Sequence, residues 1–151
     1  MFNIETGAGY VSAIGGTWMT PPAGMPVLFR VKEARRTPKA LSHCFEDLWA
    51  LDYFFQPGVH VHVHSEASPP WTRDTFTAHL YPPGTRYWED LPLGIGPIHS
   101  CWVLFRGGEH TGLPTRIDRR LGFARFHDPR HRLADAMRDL AREGQMYEAH
   151  G

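Results

Sequence analysis

Proline and glycine divide this chain into short pieces. Thirteen Pro and 15 Gly stand among 151 residues. Both residue types punctuate regular structure, proline by fixing φ and removing a donor, glycine by allowing φ > 0. Turn signals stand at Gln56-Pro57-Gly58, Pro69-Pro70, Pro82-Pro83-Gly84 and Gly107-Gly108. The segments between them have the length of strands. Val27 to Lys32 is apolar enough for a short strand, and the charged Glu33 to Ala40 reads as a loop. Leu48 to Phe55 is rich in aromatics and too short for a helix. Val59 to Ser65 alternates with period two, and Asp74 to Tyr81 also alternates. Ile98 to Phe105 is a further strand, residues 85 to 97 are turn-rich, and Leu121 to Phe126 is a candidate last strand.

The pattern changes after residue 127. Asp128-Pro129 reads as an N-cap with proline at the first helical position. Leu133, Met137, Leu140 and Ala141 then share one face of an amphipathic helix over 129 to 143, with Gly144 as its C-cap. Short strands followed by one helix predict a mainly β fold, an antiparallel β-barrel or jelly roll with a C-terminal amphipathic helix. The expected organisation is an irregular N-terminal arm (1–26), a barrel (27–127), and a terminal helix and tail (128–151). One helix leaves no room for a helix-turn-helix unit, which needs two.

Charge and cysteine usage narrow the partners. Lys+Arg and Asp+Glu both number 16. A nucleic-acid binder normally carries a basic excess, and this chain has none. No apolar run is long enough to span a membrane, and no signal peptide is evident. Cys44 and Cys101 have no CxxC spacing, so a disulfide framework and a Cys-rich zinc site are excluded. Both read as buried thiols in a reducing, cytoplasmic setting.

The most conspicuous local feature is His60-Val61-His62-Val63-His64. On a strand the three imidazoles share one face, and side chains at i and i+2 can reach one metal ion. A three-residue turn at 56–58 would pair this segment with 48–55 in a hairpin. Tyr53 would then oppose Val61, and Asp52 would oppose His62. Trp49, Leu51, Tyr53 and Phe55 would join the valines on one apolar face. If that face is the interior, the histidines point to solvent or to a partner. If the polar face lines a cavity, His60, His62 and His64, with Asp52 or Glu66, become a divalent transition-metal site. Glu89-Asp90 reads as a loop pair, solvated or paired with an arginine. No HExxH, GxSxG, Walker loop or EF-hand pattern occurs, so a binding domain is favoured over an enzyme. Aromatic residues make up 13% of the chain, and in a barrel some of them would line a ligand cavity.

Residues 43 to 55 read His-Cys-Phe-Glu-Asp-Leu-Trp-Ala-Leu-Asp-Tyr-Phe-Phe before a Pro-Gly turn, and residues 79 to 90 read His-Leu-Tyr-Pro-Pro-Gly-Thr-Arg-Tyr-Trp-Glu-Asp. This order resembles the N-terminal, cupin-like domain of AraC-family transcription regulators, over roughly residues 27 to 143. The resemblance implies a cupin-like barrel that binds a small organic effector, with no cofactor. It also implies a homodimer, and DNA contact only through a C-terminal domain that this sequence does not contain. Ligand contacts would be His43, Glu46, Trp49, Tyr53, Trp88 and Trp102, and the arm would fold over the ligand. Leu133, Met137 and Leu140 would serve dimerisation. The sequence departs from the metal-binding cupin pattern. Cys44-Phe45 follows His43 where HxH is usual, and Tyr87-Trp88 stands where a second-motif His is usual. Two rival readings are a metal-dependent cupin enzyme using His60, His62 and His64, and a ligand-free protein-interaction barrel.

Overall fold

A computed structural model describes residues 26–36, 41–90 and 96–150. The arm expected over 1–26 therefore lies almost wholly outside the described residues. The strands in chain order are β1 (Val27–Arg36), β2 (Leu41–Cys44), β3 (Trp49–Phe54), β4 (Val59–Val63), β5 (Trp71–Arg73), β6 (Thr77–Tyr81), β7 (Arg86–Asp90), β8 (Ile98–Arg106) and β9 (Ala124–His127). Helix α1 spans Arg132–His150. The strands form two antiparallel sheets, one in the order β1-β8-β3-β6-β9 and the other in the order β2-β7-β4-β5. Among the described residues no strand pairing joins the sheets into a closed barrel. No helix among them is long and apolar enough to cross a membrane.

The expected hairpin of β3 with β4 does not form. β3 pairs with β6 and β8, while β4 pairs with β5 and β7 in the other sheet. The turn at 56–58 is thus a corner that carries the chain from sheet to sheet. The physical reason lies in β3, which is apolar on both faces and needs cover on both. Ala50 and Phe54 point into the space between the sheets, where Ala50 joins Val61, Val63, Tyr81, Tyr87, Leu104 and Phe123 in a shared core, and Phe54 packs with Val59 and Ile98. Tyr53 points the other way and packs beneath α1 with Ala78, Cys101, Val103, Ala134, Met137 and Ala141. A two-stranded hairpin would have left one of these faces in water. Asp52 accordingly lies inside the molecule with the valines, not on a face with the histidines.

Three short strands escape the sequence reading. β2 and β5 are too short to show periodicity. β7 falls in the segment read as turns, where Tyr87 and Glu89 point inward and Arg86 and Asp90 stay exposed. Glu89 is therefore not a solvated loop acid. β1 runs on through Glu33–Arg36, which charge suggested was a loop, because it pairs with β8 out to Arg36–Ile98.

The helix begins later and runs further than the pattern implied. Asp128 does cap it, but across an intervening turn in which His131 N donates to Asp128 O at 3.0 Å. The Asp128 carboxylate accepts from Ala134 N at 3.0 Å and from the Tyr53 hydroxyl at 2.7 Å. Burial alone would raise its pKa. The hydrogen bonds outweigh burial and hold the carboxyl below the usual aspartate range. Gly144 does not end the helix. A Cβ there would come within 3.3 Å of Val31 Cγ1, so glycine lets the helix lie close on β1. Met137 is buried against the sheet, with Leu133 and Leu140 partly buried beside it. Of the three side chains expected to serve dimerisation, Met137 is thus occupied by packing within the chain, while Leu133 and Leu140 keep part of their surface open.

Candidate functional site

The space between the sheets is not filled throughout. A cavity of about 280 Å³ opens among Arg30, His43, Phe45, Asp52, Tyr87, Glu89, Trp102 and Leu104. Period-two alternation brings these side chains together. Asp52 comes from the inner face of β3, Tyr87 and Glu89 from that of β7, and Trp102 and Leu104 from that of β8. Arg30 reaches in from β1, where a bulge between Leu28 and Arg30 shifts the register.

The walls are aromatic. His43 stacks on Tyr87 with ring centroids 4.9 Å apart, and Tyr87 stacks on Tyr81 at 4.0 Å. The Arg30 guanidinium lies over the Trp102 ring, 5.3 Å from its centroid. His43 Nε2 stands 4.0 Å from Glu89 Oε1.

Behind the cavity lies a fully buried arginine. Arg73 Nη1 donates to Glu89 Oε1 at 3.0 Å. Its Nη2 donates to Asp52 Oδ2 at 3.2 Å and to the Tyr81 hydroxyl at 3.0 Å. The guanidinium also lies over Phe54 at 4.1 Å. Its Nε is buried with no hydrogen-bond partner among the described residues. One internal cation is thereby shared between two cavity carboxylates. Burial pushes the Asp52 carboxyl above its ordinary range. Arg73 opposes that shift and the neighbouring Glu89 adds to it. Tyr81 and Tyr87 are also driven upward by burial and stay neutral. The polar network continues outward from Tyr81. His79 Nδ1 lies 3.0 Å from the Tyr81 hydroxyl, and Arg125 Nε donates to His79 Nε2 at 3.3 Å. Burial, with Arg73 and Arg125 nearby, holds His79 well below the usual imidazole range.

Of the ligand contacts expected from the sequence, His43 and Trp102 line the cavity. Glu46 is exposed, and its Oε1 is 3.6 Å from Cys44 Sγ. Cys44 itself is only half-buried, unlike Cys101. Trp49 points out of the cavity and donates its indole N–H to Glu109 at 3.3 Å. Its ring lies so close to Gly108 that a Cβ there would come within 2.7 Å. Tyr53 is held under α1 by Asp128. Trp88 alternates with the two inward residues of β7 and stands on the outer face, in register with Ser42 and His62.

The histidine run follows the alternation of β4. Val59, Val61 and Val63 are buried, and His60 and His62 stand half-buried on the outer face. His62 Nδ1 donates to Ser68 O at 2.6 Å, and its Nε2 is 3.7 Å from Asp90 Oδ2. His64 lies beyond the strand with φ 71°. Its Nε2 donates to Leu121 O at 2.6 Å. Glu66 is exposed. Among the described residues, no three His, Cys, Asp or Glu side chains are gathered as a metal ion would require.

Arg30, Phe45, Tyr87 and Leu104 line the cavity without having been picked from the sequence, whereas the sequence suggests Asp52 as a companion of the histidine strand and Glu89 as a loop acid, solvated or paired with an arginine. A lone acid inside an aromatic strand was the one available signal, at Asp52. Arg73 is the arginine partner that the sequence offers as one of two readings of Glu89, but the Glu89 strand stays hidden because an inward carboxylate breaks the apolar alternation. No protein-family model matches the chain, and no curated protein matches it in sequence.

Proposed function

We propose that this chain is a small-molecule-sensing domain of the AraC-type regulator class, built on a cupin-like jelly roll. The cavity carries the reading. It is a concave, aromatic-walled space with a few convergent polar groups, at the small end of the usual size range for ligand pockets. The strand orders support the jelly-roll part. Pairings β1-β8, β3-β6, β2-β7 and β4-β5, divided between two sheets, are what an eight-stranded double Greek key requires, with β9 added at one edge. On this reading the regulator would be a homodimer that touches DNA through a separate domain. Met137 is buried against its own sheet, so of the expected dimer contacts only the exposed parts of Leu133 and Leu140 would be offered.

A route from cavity to helix supports the sensing role. Asp52 and Tyr53 are neighbours on β3 and face opposite sides. Asp52 lines the cavity, and Tyr53 hydrogen-bonds the carboxylate that caps α1. A ligand that prefers one setting of β3 would bias the start of the helix by its difference in affinity for the two settings.

The test is a thermal-shift screen of small organic acids, amines, amino acids and polyols against the chain and Trp102→Ala. The proposal expects at least one compound to raise the melting temperature of the parent chain and to lose that effect in the variant. A screen with no stabilising compound, or with hits indifferent to Trp102→Ala, counts against it.

A further inference from the structure

The polar groups of the cavity are sorted by sign across its walls, and the sorting bears on what the cavity holds. On one side stand Asp52 and Glu89, two carboxylates that the buried Arg73 bridges. On the other stands Arg30, which faces the Trp102 ring and has no carboxylate partner among the described residues. Arg30 is in register with Leu104, and Asp52 with Trp102, on opposite flanks of β8. The two backbones are thus two strand spacings apart, about 10 Å, with Trp102 and Leu104 forming the floor between them. Arginine has the longer side chain and reaches over this floor.

Building on the sensing reading, we infer that the cavity takes a small zwitterion of the amino-acid class, its carboxylate on Arg30 and its ammonium on Asp52 and Glu89. The separation of sign supports this choice. Arg30 and Asp52 stand on opposite flanks of β8 and both line the cavity, so a ligand carrying both charges can meet both walls at once. An amine would leave Arg30 unused, and an acid would leave Asp52 unused. Arg30 suits a carboxylate because its planar fork donates two parallel hydrogen bonds. Phe45, Tyr87 and Trp102 offer flat apolar surface to the ligand body, and a volume of about 280 Å³ leaves room for a modest side chain.

The experiment uses the twenty standard amino acids in a thermal-shift panel. Calorimetry then compares the best binder with the amine lacking its carboxylate and the acid lacking its ammonium. For L-phenylalanine these are 2-phenylethylamine and 3-phenylpropanoate. Xylitol serves as a neutral polyol. The inference expects one amino acid to bind at least tenfold tighter than either analogue, and Arg30→Gln to remove its advantage over the amine. Arg30 is half-buried and in no ion pair among the described residues, so that variant should fold. Asp52→Asn is the second probe, expected to remove the advantage over the acid. If an amine, an acid or xylitol binds as well as every amino acid, the inference is overturned and the sensing reading stands. If no compound binds at millimolar concentration, both fall.

Discussion

The two faces of the five-stranded sheet follow opposite rules. The outer face, under α1, is tightly packed. Tyr53, Ala78, Cys101, Val103, Met137 and Ala141 fill it, and burial raises the Cys101 thiol to about 12, so it behaves as a small apolar group. The inner face alternates core with polar chemistry and leaves a cavity. There Asp52 is kept in the interior, with Arg73 and Glu89 from the facing four-stranded sheet, at a desolvation cost that a purely structural sheet would not need to bear. β3 joins both faces, with Tyr53 serving one and Asp52 the other. On the proposed reading, the difference teaches that charge retained beside unfilled space marks the ligand side of the sheet, while the packed helix side supplies most of its stability.

The comparison is broken most severely by removing its central cation. Arg73→Met leaves Asp52 and Glu89 without their shared partner, and should cost about 3–5 kcal/mol in urea denaturation. A loss below about 1 kcal/mol would mean the cluster is not a paired network. On the other face, Met137→Ala opens a gap under the helix and should cost about 2–5 kcal/mol. Because β3 links the two faces, the same variant should change ligand affinity in the cavity less than tenfold, and a larger loss would show that the helix packing shapes the cavity itself.

The smallest effect is a pH slope. His79 is 1% exposed, and its folded pKa lies well below 6.5. The unfolded chain therefore takes up a proton that the folded chain refuses. This contribution to stability is complete above about pH 6.5 and is lost as pH falls below it, by at most about 1.4 kcal/mol per pH unit. His79→Gln keeps polar contacts available to Tyr81 and Arg125 while removing the titration. Between about pH 7 and 5 the variant should lose less stability than the parent, by up to about 2 kcal/mol. Equal slopes would place the titrating group elsewhere.

Sequence periodicity reveals local structure here and misses long-range structure. The strict alternation at 59–63 correctly separates buried valines from outward histidines. The run at 98–105 marks β8, and Leu133, Met137, Leu140 and Ala141 mark the buried side of α1. The partner of β3 was not legible. A strand apolar on both faces offers no register, and its true neighbours lie on β6 and β8, far along the chain. The cavity was legible only in part. His43 and Trp102 stood out as residue types, whereas Arg73 follows a Pro-Pro loop and Glu89 sits in a segment resembling a turn. Both owe their inward position to tertiary pairing, which no local pattern encodes.

The most direct test of the cavity account is an amide NMR titration of the chain with the compound that stabilises it best in the thermal-shift screen. The account predicts shift changes at Asp52, Tyr87, Glu89 and Trp102, with a second set at Tyr53, Asp128 and Ala134, where β3 meets the start of α1. Changes confined to His60, His62 and Trp88 on the outer face of the four-stranded sheet would contradict it.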